Sequence, residues 1–545
     1  MRGPMSSRSD RFAALETRAF DVLVIGGGVT GCAVARDASL RGLTVALVEK
    51  SDFASGTSSR SSRLIHGGVR YLEHGHLHLV FESSAERHRL LRLAPHLVRP
   101  LEFTWPVYRG ARIPRWKLGA GLTLYDVLAL FRNVGRHRKL SRDAVLAREP
   151  MLREDDLLGG ASYFDAATND ARLTLANAIG ATEAGAVVLN HASVSALLVE
   201  RSRIVGATVE DRATRAKVDV RASVVVNATG PWSDELRRLD SSAPPDSASR
   251  AMRGSKGAHI AVPRSRVGNR QALTLVSPSD GRVFFVLPAQ EHAIVGTTDT
   301  FTSSSPNDAR ASHEDVRYLL DAANAFFPSS RLRDDDVVSA WAGIRPLLPA
   351  AADTPGALTR EHAVVTSASG LVSITGGKLT TYRVMARDVV RVVLQRLRRR
   401  SGTDITETLP LPGGDFGSLD GVIADADVVI EDSKLARHLV ISHGTRWSDV
   451  WDVIRGDADG RTLVDPSLPY TLGEFRYSVA REMAETLGDL LIRRTHLAFE
   501  TRDHGASAAE RIVSALAGQL EWSAADQRRA IADYALEAER VFRID

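Results

Sequence analysis

The chain has a single cysteine, Cys32, in 545 residues. One thiol cannot close a disulfide within the chain, nor can it supply the thiolate sets of Cys-ligated zinc or iron–sulfur centres. Such scarcity fits a reducing, cytoplasmic setting. Long apolar runs are missing too, for no uninterrupted stretch reaches the ~18 residues that a spanning helix needs. Residues 1–20, MRGPMSSRSDRFAALETRAF, lack an apolar segment of signal-peptide length, so export by that route is not expected and a flexible N-terminus is. Nor does one sign of charge dominate. Lys plus Arg number 70 against 66 acids, a net +4, so bulk charge gives no argument for nucleic acid and any anion site must be local.

What is present is length and an ordinary globular composition, 44% apolar and 25% charged. A chain of 545 residues exceeds one ordinary core, so two or three domains are expected. Their organising stretch runs from Asp21 to Glu73. An apolar strand, Val22 to Ile25, leads into a glycine turn, a helix and a second apolar strand ending at Glu49. Gly26, Gly28 and Gly31 fit G-x-G-x-x-G, whose glycines serve a sharp turn, close approach of a pyrophosphate, and tight helix-on-strand packing. The following helix aims unpaired N–H groups at such a ligand, and Glu49 stands where a carboxylate accepts from a ribose hydroxyl. This pattern predicts a dinucleotide, with NAD and FAD both open. A hydroxyl-rich loop follows, with Ser55, Thr57, Ser58, Ser59, Ser61 and Ser62, and then Arg63-Leu-Ile-His66-Gly67-Gly68-Val-Arg70-Tyr71.

Farther along, helical spacing predicts a helix over His76 to Leu93. The alternation His74, His76, His78 spreads around a helix rather than converging, and no metal site is expected there. Leu118 to Phe131 is short for a membrane span but is flanked by Arg109, Arg112, Arg115 and Lys117 on one side and Arg132, Arg136, Arg138 and Lys139 on the other. Such a segment suits either a core helix or a helix lying in an anionic headgroup layer. Residues 186–220 read as an antiparallel meander inserted between parallel strands, and Ser223 to Asn227 as a buried parallel strand ending at Ala228, Thr229 and Gly230. Strands at 258–262, 283–287 and 293–296, with a helix over 312–327, predict a substrate sheet over about residues 254–349. Its polar punctuation is Lys256, His259, Thr297, Thr298, Asp299 and Arg345. A further glycine turn, ITGGKLTTY, opens a helix to about Arg400. Residues 406–417 read as a linker, and beyond it helical periodicity predicts long helices such as 475–497 and 508–520. Asp457, Asp459 and Gly460 read as a turn, not a calcium loop.

In order, the glycine fingerprint, SSRSSRLIHGGVRYLEHG, VNATGPW, KGAHIAVP, VGTTDT, GIRPLLP, TGGKLTTYR and LPLPGG resemble the FAD-dependent, respiratory glycerol-3-phosphate dehydrogenases over about Asp21 to Gly414. The resemblance implies a mixed α/β and α+β fold. A Rossmann-like FAD-binding domain would join an antiparallel-sheet substrate domain, as in D-amino-acid and glycine oxidases, with an all-α C-terminal domain added. Residues 21–405 would form the oxidoreductase region. Its FAD-binding segments would lie near 21–110, 160–250 and 340–400, its substrate sheet near 254–349 with parts of 95–160, and the helical domain at 406–545.

By the same resemblance, FAD contacts are expected from Gly26, Gly28, Thr30, Gly31, Glu49 and Lys50, then from Thr57, Ser58, Ser59, Ser62, Leu64, His66, Gly67 and Gly68. Later contacts would come from Ala228, Thr229 and Gly230, and from Gly377, Lys378, Leu379 and Thr380. The implied reaction takes glycerol 3-phosphate to dihydroxyacetone phosphate, with hydride moving from C2 to FAD N5 and electrons passing to a membrane quinone. Arg70, Tyr71, Arg345, Arg360 and Lys378 match the substrate positions, and cations there suit a phosphate. His259 is the candidate general base because imidazole titrates near working pH, with His66 in reserve. No metal is implied. The want of a cysteine cluster fits the single-chain aerobic type. An oxidase handing electrons to O₂, an amine or amino-acid oxidase, and a non-enzymatic FAD module are the alternatives. A homodimer and peripheral attachment to the cytoplasmic face of an anionic membrane are further expectations. Thr30, Ala33 and Arg63 depart from the family's usual Asn, Gly and Lys, and Phe301 and Thr302 stand where an acid and an aromatic hydroxyl are common, which predicts one altered substrate contact.

Overall fold

Phe20–Ile25 is apolar almost throughout because both of its faces are covered. In the computed structural model, which describes residues 6–130, 132–240, 252–348, 360–400 and 402–545, this strand lies inside a parallel sheet. Val45–Val48 pairs with it on one side and the end of Lys217–Asn227 on the other, both parallel, with Val372–Gly376 and Val187–Leu189 next outward. The helices Val29–Leu40, Asp170–Glu183 and Tyr382–Arg396 bury small and branched side chains, among them Cys32, Ala35, Ile179 and Val389, against one face. The expected meander covers the other. Ala192–Glu200 pairs antiparallel with Arg203–Asp211, which pairs with the start of Lys217–Asn227 before that strand enters the parallel sheet.

Residues 8–17 correct the expectation of a flexible N-terminus. A capping box at Ser7 and Asp10 starts the helix Arg8–Thr17, Leu15 is fully buried, and Arg8 pairs with Asp211 at 3.1 Å and Glu485 at 2.7 Å.

A second sheet of ten strands carries the expected substrate region. Arg253–Pro263 is its organising strand, antiparallel to His292–Gly296, Thr300–Thr302 and Ser339–Leu347. Val98–Tyr108 and Leu157–Thr168 extend it, and the pairing of Val98–Tyr108 with Ala272–Val276 is parallel, so among the described residues the sheet is antiparallel with one exception.

The C-terminal region is helical from Leu419 onward, in agreement with its periodicity. One long helix over 475–497 does not form. Leu472–Arg481 ends, Met483 turns left-handed, and Asp489–Arg494 winds as a wider π-type turn. The π-type turn carries buried charge pairs. Arg493 and Arg494 turn inward to meet Asp52 at 2.8 and 2.6 Å, while Asp489 meets Arg493 at 2.8 Å and His191 at 2.9 Å. Asp52, His191 and Asp489 are close enough to surround a cation, yet each oxygen of the two carboxylates already accepts from a guanidinium, Asn190, His191, Thr486 or a backbone N–H. The cluster is an ion-pair clamp between helical domain and dinucleotide fold. The segment 406–417 is likewise packed rather than free, since Arg36 donates to the carbonyls of Leu409 and Pro410 and Leu411 is buried.

Removing one partner of a buried pair strands the other charge, which costs about 3–5 kcal/mol. Asp52→Ala is therefore expected to lower the urea midpoint by that equivalent, and a midpoint equal to wild type would contradict the clamp.

Candidate active site

Between the two sheets runs a cavity of about 530 Å³. Its first part is built by the glycine turn. Gly26 sits at φ +111°, where an added Cβ would meet the Ala228 carbonyl oxygen at 2.6 Å, and a Cβ on Gly31 would collide with the Gly26 carbonyl oxygen. Gly26, Gly28 and Thr30 form wall, and Gly28 caps the helix Val29–Leu40, whose Val29 N–H donates to Ser58 Oγ at 3.0 Å. Glu49 follows the second strand and its carboxylate accepts from the N–H groups of Gly27 at 2.6 Å and Ser51 at 2.8 Å. Burial still holds that carboxyl above its ordinary range. Lys50 lies 4.1 Å over the Trp232 ring, and Ala228, Thr229 and Gly230 close the opposite side. A bare-backbone turn, the N-terminus of a 12-residue helix and a buried carboxylate together fit the adenosine and pyrophosphate of a dinucleotide.

The hydroxyl loop and the second glycine turn make the middle. Thr57, Ser58, Ser62, Leu64 and His66 face Gly377, Lys378, Leu379 and Thr380 across it. Thr380 Oγ1 ties the loops, accepting from the His66 N–H at 3.1 Å and lying 3.2 Å from the His66 carbonyl, to which it donates. Gly31, Ser59, Gly67 and Gly68, expected as cofactor contacts, are absent from the wall. Gly31 instead seats the helix on its strand, Ser59 is buried behind the loop, and Gly67 and Gly68 leave room for Tyr125 and for the ring of Tyr71.

Cations gather at the far end. His259 and Arg345 come from adjacent antiparallel strands, with Ser255 opposite Arg345 and His259 opposite Trp341 in register. Tyr71, Arg345, Arg360 and Lys378 line this end with His259. The Arg70 side chain lies outside the described residues. Lys378 Nζ donates to Ser83 Oγ and sits 4.4 Å over the Tyr71 ring. Burial pulls the Lys378 ammonium down to about 8; Glu82 opposes that fall and Arg360 adds to it. Arg345 donates to Asp299 Oδ1 at 3.0 Å and to Thr297 Oγ1 at 2.8 Å, and Arg360 reaches Asp299 Oδ2 at 3.3 Å.

The environment of His259 corrects the reason for which it was singled out. Its ring is only 2% exposed, stacks on Trp341 at 5.5 Å, and shares a hydrogen bond between Nε2 and Ser62 Oγ at 2.8 Å. Burial, then Arg345 and Arg63, hold it down at about 3. It does not titrate near neutral pH; it stays a neutral imidazole across the working range. Arg63 lies 4.7 Å from the Phe499 ring and 5.4 Å from Trp341, so the helical domain backs this wall through Phe499 without lining the cavity. Phe301 packs 3.4 Å under the Arg253 guanidinium, and neither it nor Thr302 lines the cavity, so the expected altered contact is not in the wall.

Sequence reasoning named Asp299 among the polar residues of the substrate sheet without giving it a role, and missed Arg60, Gly257 and Gly343, which line the cavity. Asp299 follows Thr297-Thr298 directly after a predicted strand, which is the one local signal that marks it. Asp457 and Asp459 are taken by Arg476 at 3.3 and 2.7 Å, consistent with a surface turn.

Comparison with known proteins bears on this cavity. Residues 21–383 match the family model "FAD dependent oxidoreductase", and residues 404–527 match "C-terminal domain of alpha-glycerophosphate oxidase". Glycerol-3-phosphate dehydrogenase 2 of Mycobacterium bovis is 39% identical over 546 aligned positions, covering 98% of this chain and 91% of that protein. The solved glycerol-3-phosphate dehydrogenase of Bacillus halodurans, complexed with FAD, superposes with a TM-score of 0.81 at 32% identity, covering 99% of this chain and 98% of that one. Glycine oxidase of Geobacillus kaustophilus, at 21% identity and a TM-score of 0.50 over 72% of this chain and 99% of its own, shares the fold.

Because an added methyl at Gly31 must push the turn away from its strand, Gly31→Ala is expected to fold with wild-type far-ultraviolet dichroism but to purify without visible flavin absorbance. Full flavin content in that variant would contradict the assignment of the turn.

Proposed function

This chain belongs to the FAD-dependent oxidoreductases and, within them, to the glycerol-3-phosphate dehydrogenases, and from that premise we propose that it oxidises sn-glycerol 3-phosphate to dihydroxyacetone phosphate and delivers the electrons to a membrane quinone. The observation that carries the substrate is the convergence of Arg345, Arg360 and Lys378 at one end of the cavity, next to a neutral buried imidazole. A phosphate dianion is matched by fixed guanidiniums far better than by water alone, because charge-assisted bonds in a dry site are strong. An amino-acid carboxylate needs fewer cations. FAD, when bound, supplies the two-electron acceptor at N5.

In this reading the glycine turn, Glu49 and Lys50 hold the adenosine and pyrophosphate end, while the walls around His66 and Lys378 hold the flavin end. Arg345, Arg360 and Tyr71 receive the phosphate and the neighbouring hydroxyl. Fixing both ends of a three-carbon substrate orients C2, which is where positioning lowers the barrier. His259 takes the hydroxyl proton. Arg345 is one of the groups that depresses its basicity, so a bound dianion beside Arg345 offsets that effect and raises the imidazole when substrate is present. His66 lines the same cavity and remains the reserve.

A surface feature favours quinone over O₂. Among the described residues no helix is long and apolar enough to cross a membrane. The helix Arg115–Leu128 buries Leu118, Leu122 and Tyr125 but exposes Leu124, Val127 and Trp116, the last 75% exposed, and Leu130 and Val134 continue the patch. Arg and Lys residues flank it on both sides, the arrangement that suits an anionic headgroup layer. From that helix Tyr125 accepts from Arg87 at 2.7 Å, and the same helix that carries Arg87 carries Ser83, the acceptor for Lys378. The helix that carries the patch is therefore linked through Tyr125, Arg87 and Ser83 to Lys378 at the substrate end of the cavity.

Two outcomes follow. Lys378 is charged below about pH 8 and neutral above it, so kcat/KM for glycerol 3-phosphate is expected to fall as pH rises through that value, and Lys378→Arg should move the fall upward; an unchanged profile would contradict a charged role for Lys378. With anionic vesicles present, the wild-type enzyme should reduce a lipophilic quinone with little peroxide, and Trp116→Ser with Val127→Ser should release it from the vesicles. Stoichiometric peroxide with no quinone reduction would make it an oxidase.

A further inference from the structure

The two arginines at the substrate end carry like charge and are held together before any anion arrives. Asp299, 6% exposed on the turn between His292–Gly296 and Thr300–Thr302, stands between them. Its Oδ1 accepts from Arg345 Nη1 at 3.0 Å and from the Ser255 hydroxyl, and its Oδ2 accepts from Arg360 Nη2 at 3.3 Å. Arg345 Nη2 is fixed in turn by Thr297 Oγ1 at 2.8 Å. Arg360 Nη1 is buried with no hydrogen-bond partner among the described residues. A Cβ at Gly257 would strike the Arg345 guanidinium, so the neighbouring strand also leaves this side chain one place to lie.

We propose that Asp299 is a positioning residue that sets the spacing and the net charge of the Arg345–Arg360 pair for a phosphate dianion. The inference rests on the glycerol 3-phosphate reading and adds what makes that site selective. Two guanidiniums and one carboxylate leave a single net positive charge, and Lys378 adds a second, which together balance a dianion. Without the carboxylate the guanidiniums repel across a poorly solvated gap and separate, and a bidentate site becomes two independent monodentate ones.

Simple attraction and positioning make opposite forecasts. If only total charge mattered, Asp299→Asn would add a positive charge and tighten phosphate binding. If position matters, Asn weakens it. Its one carbonyl oxygen can accept from one arginine while its amide N–H₂ faces the other.

The test is calorimetric titration of the FAD-loaded enzyme with inorganic phosphate, followed by steady-state kinetics with glycerol 3-phosphate. Asp299→Asn is expected to raise the phosphate Kd and the KM about tenfold or more, the loss of one charge-assisted bond, with kcat within about threefold of wild type. Asp299→Glu, which restores two acceptor oxygens, should recover part of the loss. Should Asp299→Asn lose its flavin, Ser255→Ala removes only the hydroxyl that donates to Asp299 and is expected to raise KM about two- to fivefold at constant kcat. Phosphate bound as tightly as in wild type by a flavin-replete Asp299→Asn, or no change of KM in Ser255→Ala, would overturn the proposal. The titration also separates the two claims. Wild type that binds phosphate but is not reduced by glycerol 3-phosphate would sink the functional reading alone, whereas phosphate binding indifferent to Asp299 would sink this inference alone.

Discussion

Like charges crowded into one end of a largely buried cavity are the constraint on which the rest of this structure turns. In the proposed reading Arg345, Arg360 and Lys378 attract a phosphate while they stay close, and the fold supplies counter-charges and anchors that hold each of them. Asp299 bridges the arginines, Thr297 fixes one of them, and Ser83 and the Tyr71 ring hold the lysine. Burial then sharpens every term. It pulls Lys378 down to about 8 and holds His259 neutral, so the same desolvation that strengthens charge attraction leaves the imidazole a weak base, which a dianion beside Arg345 would strengthen.

The two sheets divide the work. The parallel sheet ends in glycine turns that let a dinucleotide approach bare backbone, and the second sheet places Arg345 and His259 by strand register. Adjacent strands fix cross-strand neighbours to within a fraction of a residue, which is why Trp341 stacks on His259. Behind Trp341 stands Phe499 of the helical domain, edge-on at 5.1 Å, and the clamp of Asp52 with Arg493 and Arg494 keeps that domain in place. The helical domain thus supports the site from behind while lending it no wall.

Much of this was legible in the chain because some of its chemistry is local. The glycine turn, Glu49 and the parallel strands could be read from spacing, since each is a relation between residues close in sequence. The positions of His259, Arg345, Arg360 and Lys378 came from motif order, and the structure brings them to one end of one cavity. What sequence could not carry was environment. His259 looks like a group that titrates near neutrality until its burial beside Arg345 and Arg63 is known. The helix expected over 475–497 keeps its apolar period through Leu490, Leu491 and Ile492. The helix stops at Arg481, and past the break Arg493 and Arg494 meet an aspartate more than 400 positions earlier, at separations of 441 and 442 residues, a partner no local period announces. Asp299 was named but given no role for the same reason: its partners are two arginines on other segments. Gly31, Ser59, Gly67 and Gly68 were expected at the cofactor but do not line the cavity, a distinction of side-chain packing that a motif does not encode.

The central claim is that the cation cluster reads the phosphate of the substrate, and anaerobic stopped-flow reduction of the bound flavin tests it most directly. Mixed without oxygen or quinone, glycerol 3-phosphate should bleach the flavin within the turnover time, and glycerol at the same concentration should leave it yellow. Equal bleaching by both, or none by either, would contradict the account.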